Sequence, residues 1–516
     1  MNSKQETSLN KAQQDNQNAA RFLSQFIGAS FGPKGLSKLR SSEHGDVFIL
    51  QDCKTMLEKA DFKHPVATMM RDLAKSLHAK WGDGSAAAVL LACSLIHRGF
   101  ELAEKGIHPS KIIEGYSIAS DESLSFLEKT HVNASGDTMS RLIHTFFSSK
   151  LEQKEAIHLT NALCTAVSKL LDGCEFDAGM IKVVAKGGAS VFESTILSGV
   201  AVEAEVLSGR MPTSVSDARI AIVEELLDVR KTKFSAQVQI SSPKSLGILQ
   251  NQEDRMVTEQ ADPIIDCGAN VLLTHKGIEE PALSMLVDAN ILAARRIGMV
   301  DLKRIAKASG ATIVYSTKEL SAACLGSALS VQQKPLGDKK FIFIDGCRDP
   351  RAVSLILRSP SQRGANSLED LAKRAVKIVE NFLQNPVLVS GGGALEFALH
   401  QHLQKHALKF SGREQKAIQT FGEALLSLVE TLAKNCGINP LDTVAQFVSL
   451  SKNGLPYLNT SSKRVESFNG EIVELLIMRK GVIASATEVA NAILHVANVY
   501  PAKRLQPKQD SEPDYP

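Results

Sequence analysis

Two long helix-rich stretches flank a stretch of a different kind, and this order limits how the chain can fold more than any other feature. From about residue 18 to 130 the apolar residues recur at helical spacing, as in AARFLSQFIGASF at 19–31, which FGPKG then stops with glycine and proline. Between about 180 and 355, short β-rich runs (IKVVAKGG, ARIAIVEEL, FSAQVQI, NVLLTH, ATIVYS, KFIFIDG) alternate with helical stretches such as EPALSMLVDANI and VDLKRIAKAS, a pattern that predicts an α/β domain. From about 367 the helices return in SLEDLAKRAVKIVENFL, ALEFALHQHLQKHALKF and EQKAIQTFGEALLSLVETLAKN. The simplest physical account is an α/β domain inserted into a helical one, so that the two ends of the chain share a core. One short stretch inside the first helical region, GDVFILQD at 45–52, reads as a strand, and no internal repeat is present.

At 516 residues the chain exceeds what one core usually supports, so two to four domains are expected. No nucleic-acid-binding surface can be inferred from a net charge of +3, which leaves room only for a local basic patch, and no nucleic-acid partner is expected. The longest apolar run, Ala86 to Cys93, is too short to cross a bilayer, so no membrane partner is expected. Eight scattered cysteines form no CxxC pair, so they indicate neither a zinc site nor a redox motif. With no signal peptide at the start, the expected location is the reducing cytoplasm. The polar, Gln/Asn-rich residues 1–20 and the charged, Pro-rich 502–516 are expected to fray.

Three glycine-bearing corners abut or begin helices: Phe31-Gly32-Pro33-Lys34-Gly35, Gly82-Asp83-Gly84-Ser85, and Ser390-Gly391-Gly392-Gly393. Glycine lets backbone approach a phosphate closely, and a helix N-terminus presents free N–H groups. Asp83 has two readings at this stage. It can hold a Mg²⁺ bridging phosphate oxygens, or Asp83 or Ser85 can simply cap the helix that follows. None of the corners matches a P-loop or a GxGxxG fingerprint.

The ordered motifs carry a family likeness. FGPKGLSKL, GDGSAAAVLLACSLI, GIHPSKIIEGY, SGGGALEFAL, GREQKAIQTFGEAL, NCGINPLDT and ASATEVANAIL fall in sequence along nearly the whole chain. Together they resemble the group II chaperonins, the archaeal thermosome and eukaryotic cytosolic chaperonin class. The resemblance implies a multidomain α+β fold. A helical equatorial ATP-binding domain would come from 1–130 and 390–516, and a small α/β intermediate hinge domain from 131–210 and 355–389. An inserted α/β apical domain would span 211–354, with a helical lid protrusion near 243–262. It also implies an ATP-dependent chaperone subunit working in a stacked double ring with itself or sister subunits, on unfolded or partly folded client proteins.

The same resemblance assigns site residues. Asp52 and Asp370 match the aspartates that position the water attacking the γ-phosphate of ATP, and Asp83 matches the Mg²⁺ ligand. Gly32, Pro33, Gly84, Ser85, Gly392 and Gly393 match nucleotide-binding loop positions, and Glu466 in RVESFNG matches the acid near base and ribose. A metal that neutralises phosphate charge and carboxylates that orient water are what the chemistry needs. Departures accompany the matches. The family's GDGTTT is GDGSAAA here, so Ala86 and Ala87 carry no hydroxyl. Cys53 replaces a glycine, Ser37 replaces an aspartate, and Glu466 replaces a shorter acid. Retained acids predict hydrolysis, and the lost hydroxyls predict weaker or slower turnover. The competing reading is a chaperonin-like assembly factor or scaffold without productive hydrolysis. A metabolic nucleotide-dependent enzyme or kinase lacks its signature motifs here. Leu246, Ile248 and Leu249 are either a client-binding patch or packed helix residues.

Overall fold

The computed structural model describes residues 9–41, 47–131, 137–171, 176–227, 255, 257–347, 351–452 and 454–498. The chain divides into two compact units, one made of Met1–Ser135 with Pro386–Pro516, the other of Gly136–Asn385.

The first unit opens with α1 (Lys11–Gly28), the hairpin β1 (Lys38–Ser41) and β2 (Val47–Leu50), and α2 (Cys53–Lys59). Three long helices follow: α3 (Pro65–Trp81), α4 (Ser85–Glu104) and α5 (Pro109–Lys129). The expected strand within 45–52 is β2. The expected fraying of 1–20 is corrected from Asn10 onward. Asn10 Oδ1 accepts from the Gln13 N–H at 2.9 Å while Gln13 Oε1 accepts from the Asn10 N–H at 3.1 Å, a capping box that starts α1 at Lys11. α3 and α5 begin alike, with a histidine at the N-cap and proline next to it (His64-Pro65 and His108-Pro109).

α4 is apolar on nearly every side, as a helix at the centre of a bundle must be. It is long and apolar enough to cross a membrane by length and composition, longer than its Ala86–Cys93 apolar run suggests, but 67% of that window is buried inside the unit. Its neighbours include α1 and α3 and two helices from the far end of the chain, α13 (Arg413–Asn435) and α15 (Leu476–Leu494).

The second unit runs α6 (Thr138–Ser148), α7 (Gln153–Leu171), β3 (Ile181–Gly187), β4 (Thr195–Leu197), β5 (Gly199–Glu203), β6 (Ser214–Val223) and α8 (257–266). It continues through β7 (Val271–Thr274), α9 (Glu280–Asp288), β8 (Leu292–Ala294), α10 (Met299–Ser309), β9 (Ile313–Val314), β10 (Gly326–Leu336), β11 (Lys339–Cys347), β12 (Val353–Ser359) and α11 (Gln362–Gln384). Seven strands form one mixed sheet in the order β5-β11-β10-β6-β7-β8, with β9 also on β6. β5, β11, β10 and β6 pair antiparallel; β6, β7, β8 and β9 pair parallel. The parallel strands VLLT and LAA are buried throughout, as a sheet covered on both faces requires. A smaller sheet, β3-β12-β4, carries α7 and α11. Of the expected protrusion at 243–262, residues 257–262 are helical and 243–254 lie outside the described residues, as do Leu246, Ile248, Leu249 and the strand expected from FSAQVQI.

The first unit resumes with β13 (Leu388–Ser390), α12 (Ala394–Ala407), α13 (Arg413–Asn435) and α14 (Pro440–Leu450), then β14 (Pro456–Asn459), β15 (Arg464–Ser467), β16 (Val473–Leu475) and α15 (Leu476–Leu494). The two ends of the chain interlock. α15 packs on α3, α4 and α5, and Asn10 Nδ2 donates to the Ala497 carbonyl at 2.8 Å across 487 residues of sequence.

Candidate functional site

The three glycine corners lie in the first unit, and each is held by elements from elsewhere in it. In the first, the Gly35 N–H donates to the Gly32 carbonyl at 3.0 Å, closing a turn with Pro33 in its second position, where the ring's fixed φ fits. Gly32 has φ +79°, and a Cβ there would stand 2.4 Å from Leu432 Cδ1 of α13. Asn435 Nδ2, at the end of the same helix, donates to the carbonyls of Gly28 at 2.8 Å and Phe31 at 2.7 Å.

In the second corner α3 stops at Gly82, φ +78°. Gly84, φ +85°, is itself the N-cap of α4, with no side chain capping it. Of the two readings of this corner, the one in which Asp83 or Ser85 caps the helix is overturned. The left-handed Gly84 makes the turn, Ser85 is already inside the helix with its side chain buried, and Asp83 stands half-buried before it. A Cβ on Gly84 would meet Val482 Cγ2 at 2.8 Å and Met478 Cγ at 3.2 Å, both on α15.

The third corner follows β13. The Gly391 N–H donates to the Ile472 carbonyl at 2.9 Å, and Gly393, φ +81°, is the N-cap of α12, again with no side-chain cap. A Cβ on Gly391 would stand 3.0 Å from Glu474 Oε1, one on Gly392 3.1 Å from Tyr457 Cδ2, and one on Gly393 3.2 Å from Val429 Cγ2.

These neighbours bring the corners together. Leu432 and Val429 are one turn apart on α13, so that helix backs the first and third corners. β16 runs straight into α15, so Glu474, Met478 and Val482 back the third and second. Glu466 joins through the β14–β15 hairpin. It accepts from Ser462 Oγ at 2.6 Å, Asn459 Nδ2 at 3.1 Å and the hydroxyl of Tyr457 at 3.3 Å, and Tyr457 is the residue against Gly392. The Ser462 and Asn459 hydrogen bonds hold the Glu466 carboxyl below the usual range.

Behind the second and third corners lies a charge cluster that sequence reading missed. Arg479 of α15 reaches Glu396 Oε1 at 2.8 Å through Nη1 and bonds Glu474 through Nε. The Arg479 and Glu396 side chains are only 10% and 6% exposed, so this pair stands in the core. Burial works against the guanidinium, but Glu396, Glu474 and Asp83 outweigh it and hold Arg479 above its ordinary value. Burial also pushes the Glu474 carboxyl up, despite Arg479. Thus Asp83 stands in the field of a buried cation. One signal was available: a lone arginine inside the apolar run LLIMRKGVIA, with a glutamate three residues after the glycines at Glu396.

Asp52 is the N-cap of α2, its Oδ2 accepting from the Thr55 N–H at 3.3 Å. The same oxygen lies 3.7 Å from Nδ1 of His78, one turn before Gly82, so α3 relates Asp52 to the second corner. Cys53, the non-glycine at the neighbouring position, turns its side chain into the core. Asp370 belongs to the second unit, on the exposed face of α11 opposite the buried Leu368, Leu371 and Ala372.

The residues present fit a phosphate-bearing ligand. The first N–H groups of α4 and α12 have no side-chain cap, and a Cβ would collide with a neighbour at Gly32 and Gly84 and be tightly crowded at Gly392 and Gly393.

The profile of the TCP-1/cpn60 chaperonin family matches residues 23–504. The chain belongs to this family. This chaperonin is 34% identical to the thermosome subunit of Desulfurococcus sp. (strain SY), over 97% of this chain and 94% of that protein. It is 32% identical to the thermosome subunit of Pyrococcus abyssi, over 97% and 93%. It is likewise 32% identical to the thermosome subunit alpha of Archaeoglobus fulgidus, over 97% and 94%.

Proposed function

We propose that this chaperonin subunit hydrolyses Mg²⁺-ATP at the three-corner site and that turnover drives lid closure over a client inside a double ring. As a member of the family it is an ATP-dependent chaperonin subunit that assists protein folding. The observation that carries the more specific reading is the shared backing of three corners, the third more than three hundred residues from the other two in sequence. That shared backing supports reading them as one site.

In this reading the backbones of Gly32, Pro33, Gly84, Gly392 and Gly393 cradle the phosphates with the open N–H groups of α4 and α12. The Ser85 hydroxyl adds to that cradle, and Glu466 orients base and ribose. Asp83 holds the Mg²⁺, which when bound neutralises phosphate charge. Asp52 and Asp370 orient the attacking water and accept its proton, and Asp370 reaches the nucleotide when an intermediate domain closes. Each of Ala86 and Ala87 forgoes a hydroxyl contact worth about 1–3 kcal/mol if charge-assisted, so turnover is slower than in a hydroxyl-bearing site.

The proposed domains are equatorial (1–130 and 390–516), intermediate (131–210 and 355–389) and apical (211–354, with the protrusion near 243–262). The proposed setting is the cytoplasm. All seven cysteines among the described residues are free thiols, as a reducing compartment keeps them. Retention of Asp52, Asp83 and Asp370 disfavours a scaffold without hydrolysis.

The test is Mg²⁺-dependent ATP turnover by the ring-assembled chain beside Asp370→Ala. Loss of turnover by about 10²-fold or more in the variant, with nucleotide affinity kept within a few-fold, is expected. No turnover by folded, assembled wild type, or full turnover by the variant, overturns the proposal.

A further inference from the structure

A cluster outside the nucleotide site has the composition of a metal centre. α12 carries HQHLQKH, which places His402 and His406 four residues apart on one face, the spacing by which a helix offers two imidazoles to one ion. That face meets α5, from which Glu122 projects. His402 Nε2 lies 2.6 Å and His406 Nδ1 3.2 Å from the same oxygen, Glu122 Oε1, and all three atoms fall within 4.8 Å of one another. Donors around a tetrahedral zinc with bonds near 2.0–2.1 Å stand about 3.4 Å apart, so side-chain shifts of less than about 1 Å seat an ion. Among the described residues no other group of three or more ligating side chains converges in this way.

The arrangement is not accounted for as an ordinary ion pair. Nδ1 of His406 is buried and makes no hydrogen bond, although it faces the carboxylate oxygen that His402 already engages. The Glu122 oxygen could accept from both rings, yet His406 Nδ1 stands 3.2 Å from it without bonding it, whereas an ion between the three satisfies all of them. Phe126 packs on the His402 ring at 4.6 Å and Phe410 on the His406 ring at 5.6 Å, which limits how far either imidazole can swing. His402 and Glu122 remain 32% and 28% exposed, which leaves a fourth position open to water.

We propose that Glu122, His402 and His406 bind one zinc-class divalent ion that clamps α12 to α5. Two imidazoles and a carboxylate suit Zn²⁺, and Co²⁺ is its spectroscopic substitute. The clamp fixes the C-terminal half of the helix whose first residue follows Gly393. It holds whether or not the nucleotide site turns over.

The experiment uses the full chain, stripped with a chelator and titrated with ZnCl₂ by calorimetry and with Co²⁺ by visible absorption. His402→Gln and Glu122→Gln are titrated alongside. Glu122→Gln keeps an oxygen for the His402 hydrogen bond, so folding in chelator is preserved in at least that variant. Wild type is expected to bind one more ion per chain than either variant, or to bind it at least about 100-fold more tightly, since even outer partners of metal ligands are worth 10–100-fold. The d–d bands of four-coordinate Co²⁺ should appear in wild type and fade in both variants. Equal stoichiometry and affinity in wild type and the variants, or a Co²⁺ spectrum that both variants retain, overturns the proposal.

Discussion

Replacing Arg479 with methionine tests whether the charge cluster behind the corners is structural. The substitution keeps an unbranched side chain of similar reach and removes the cation, leaving Glu396, 6% exposed, and Glu474 facing each other across a site that water reaches poorly. Breaking a buried pair by deleting one partner costs about 3–5 kcal/mol, because the remaining charge is uncompensated. For a unit of this size that is a thermal midpoint lower by about 10 °C.

The pH dependence gives a sharper signature. Glu474 stands above the ordinary carboxyl value even with Arg479 present, and without it rises further. A carboxyl raised in the folded state contributes its full stability below its unfolded value, and that stability is lost as pH rises through the folded value. The deficit of Arg479→Met should therefore be largest at pH 8 and shrink at pH 5.5. Adding Glu396→Gln and Glu474→Gln should recover most of it at pH 8. Thermal denaturation followed by circular dichroism at the two pH values decides the matter. A loss under about 1 kcal/mol at pH 8, or a deficit that does not change with pH, refutes the reasoning.

Two further outcomes follow from local geometry. Gly84→Ala forces φ +85° on a residue with a Cβ and drives that atom to 2.8 Å from Val482 Cγ2. A loss of about 1–2 kcal/mol from the dihedral alone is expected, along with weaker binding of a fluorescent ATP analogue, and wild-type affinity would contradict it. His64 caps α3 by accepting from the Val66 N–H at 3.2 Å through Nδ1, and burial pushes its imidazole below the ordinary value. The stability it contributes is present above the ordinary value near 6.5 and is lost as pH falls through the folded value. His64→Asn keeps a capping oxygen at every pH, so denaturant midpoints of wild type should fall more steeply from pH 7 to 5 than those of the variant. Parallel curves would contradict this.

What was legible in the chain was what glycine and periodicity advertise. Gly32, Gly84 and Gly393 stood out because few other residues tolerate their backbone angles, and the motifs around them carried the family. The α/β stretch showed because runs such as VLLT are apolar without interruption. Their backing did not show: Leu432, Val429 and Val482 look like any core residue until the fold sets them against a glycine. N-cap reading failed at Asp83 because capping rules assume a polar side chain, whereas a left-handed Gly84 makes the turn without one. Residues 11–20 looked too polar to be ordered, yet Asn10 and Gln13 satisfy each other's backbone. The Glu122–His402–His406 group needed two segments 280 residues apart, which no local pattern joins.

The interlocked ends set the order in which the molecule can be made. Met1–Ser135 leaves the ribosome as half of a unit whose remaining half begins at Pro386. At about 5–20 residues per second, the roughly 250 residues between them occupy about 10–50 s of synthesis. Throughout that interval α4, apolar on nearly every side, has α1 and α3 beside it but neither α13 nor α15. A subunit whose work is to assist the folding of other chains thus begins as a half-folded one, with a long apolar helix waiting for half its cover.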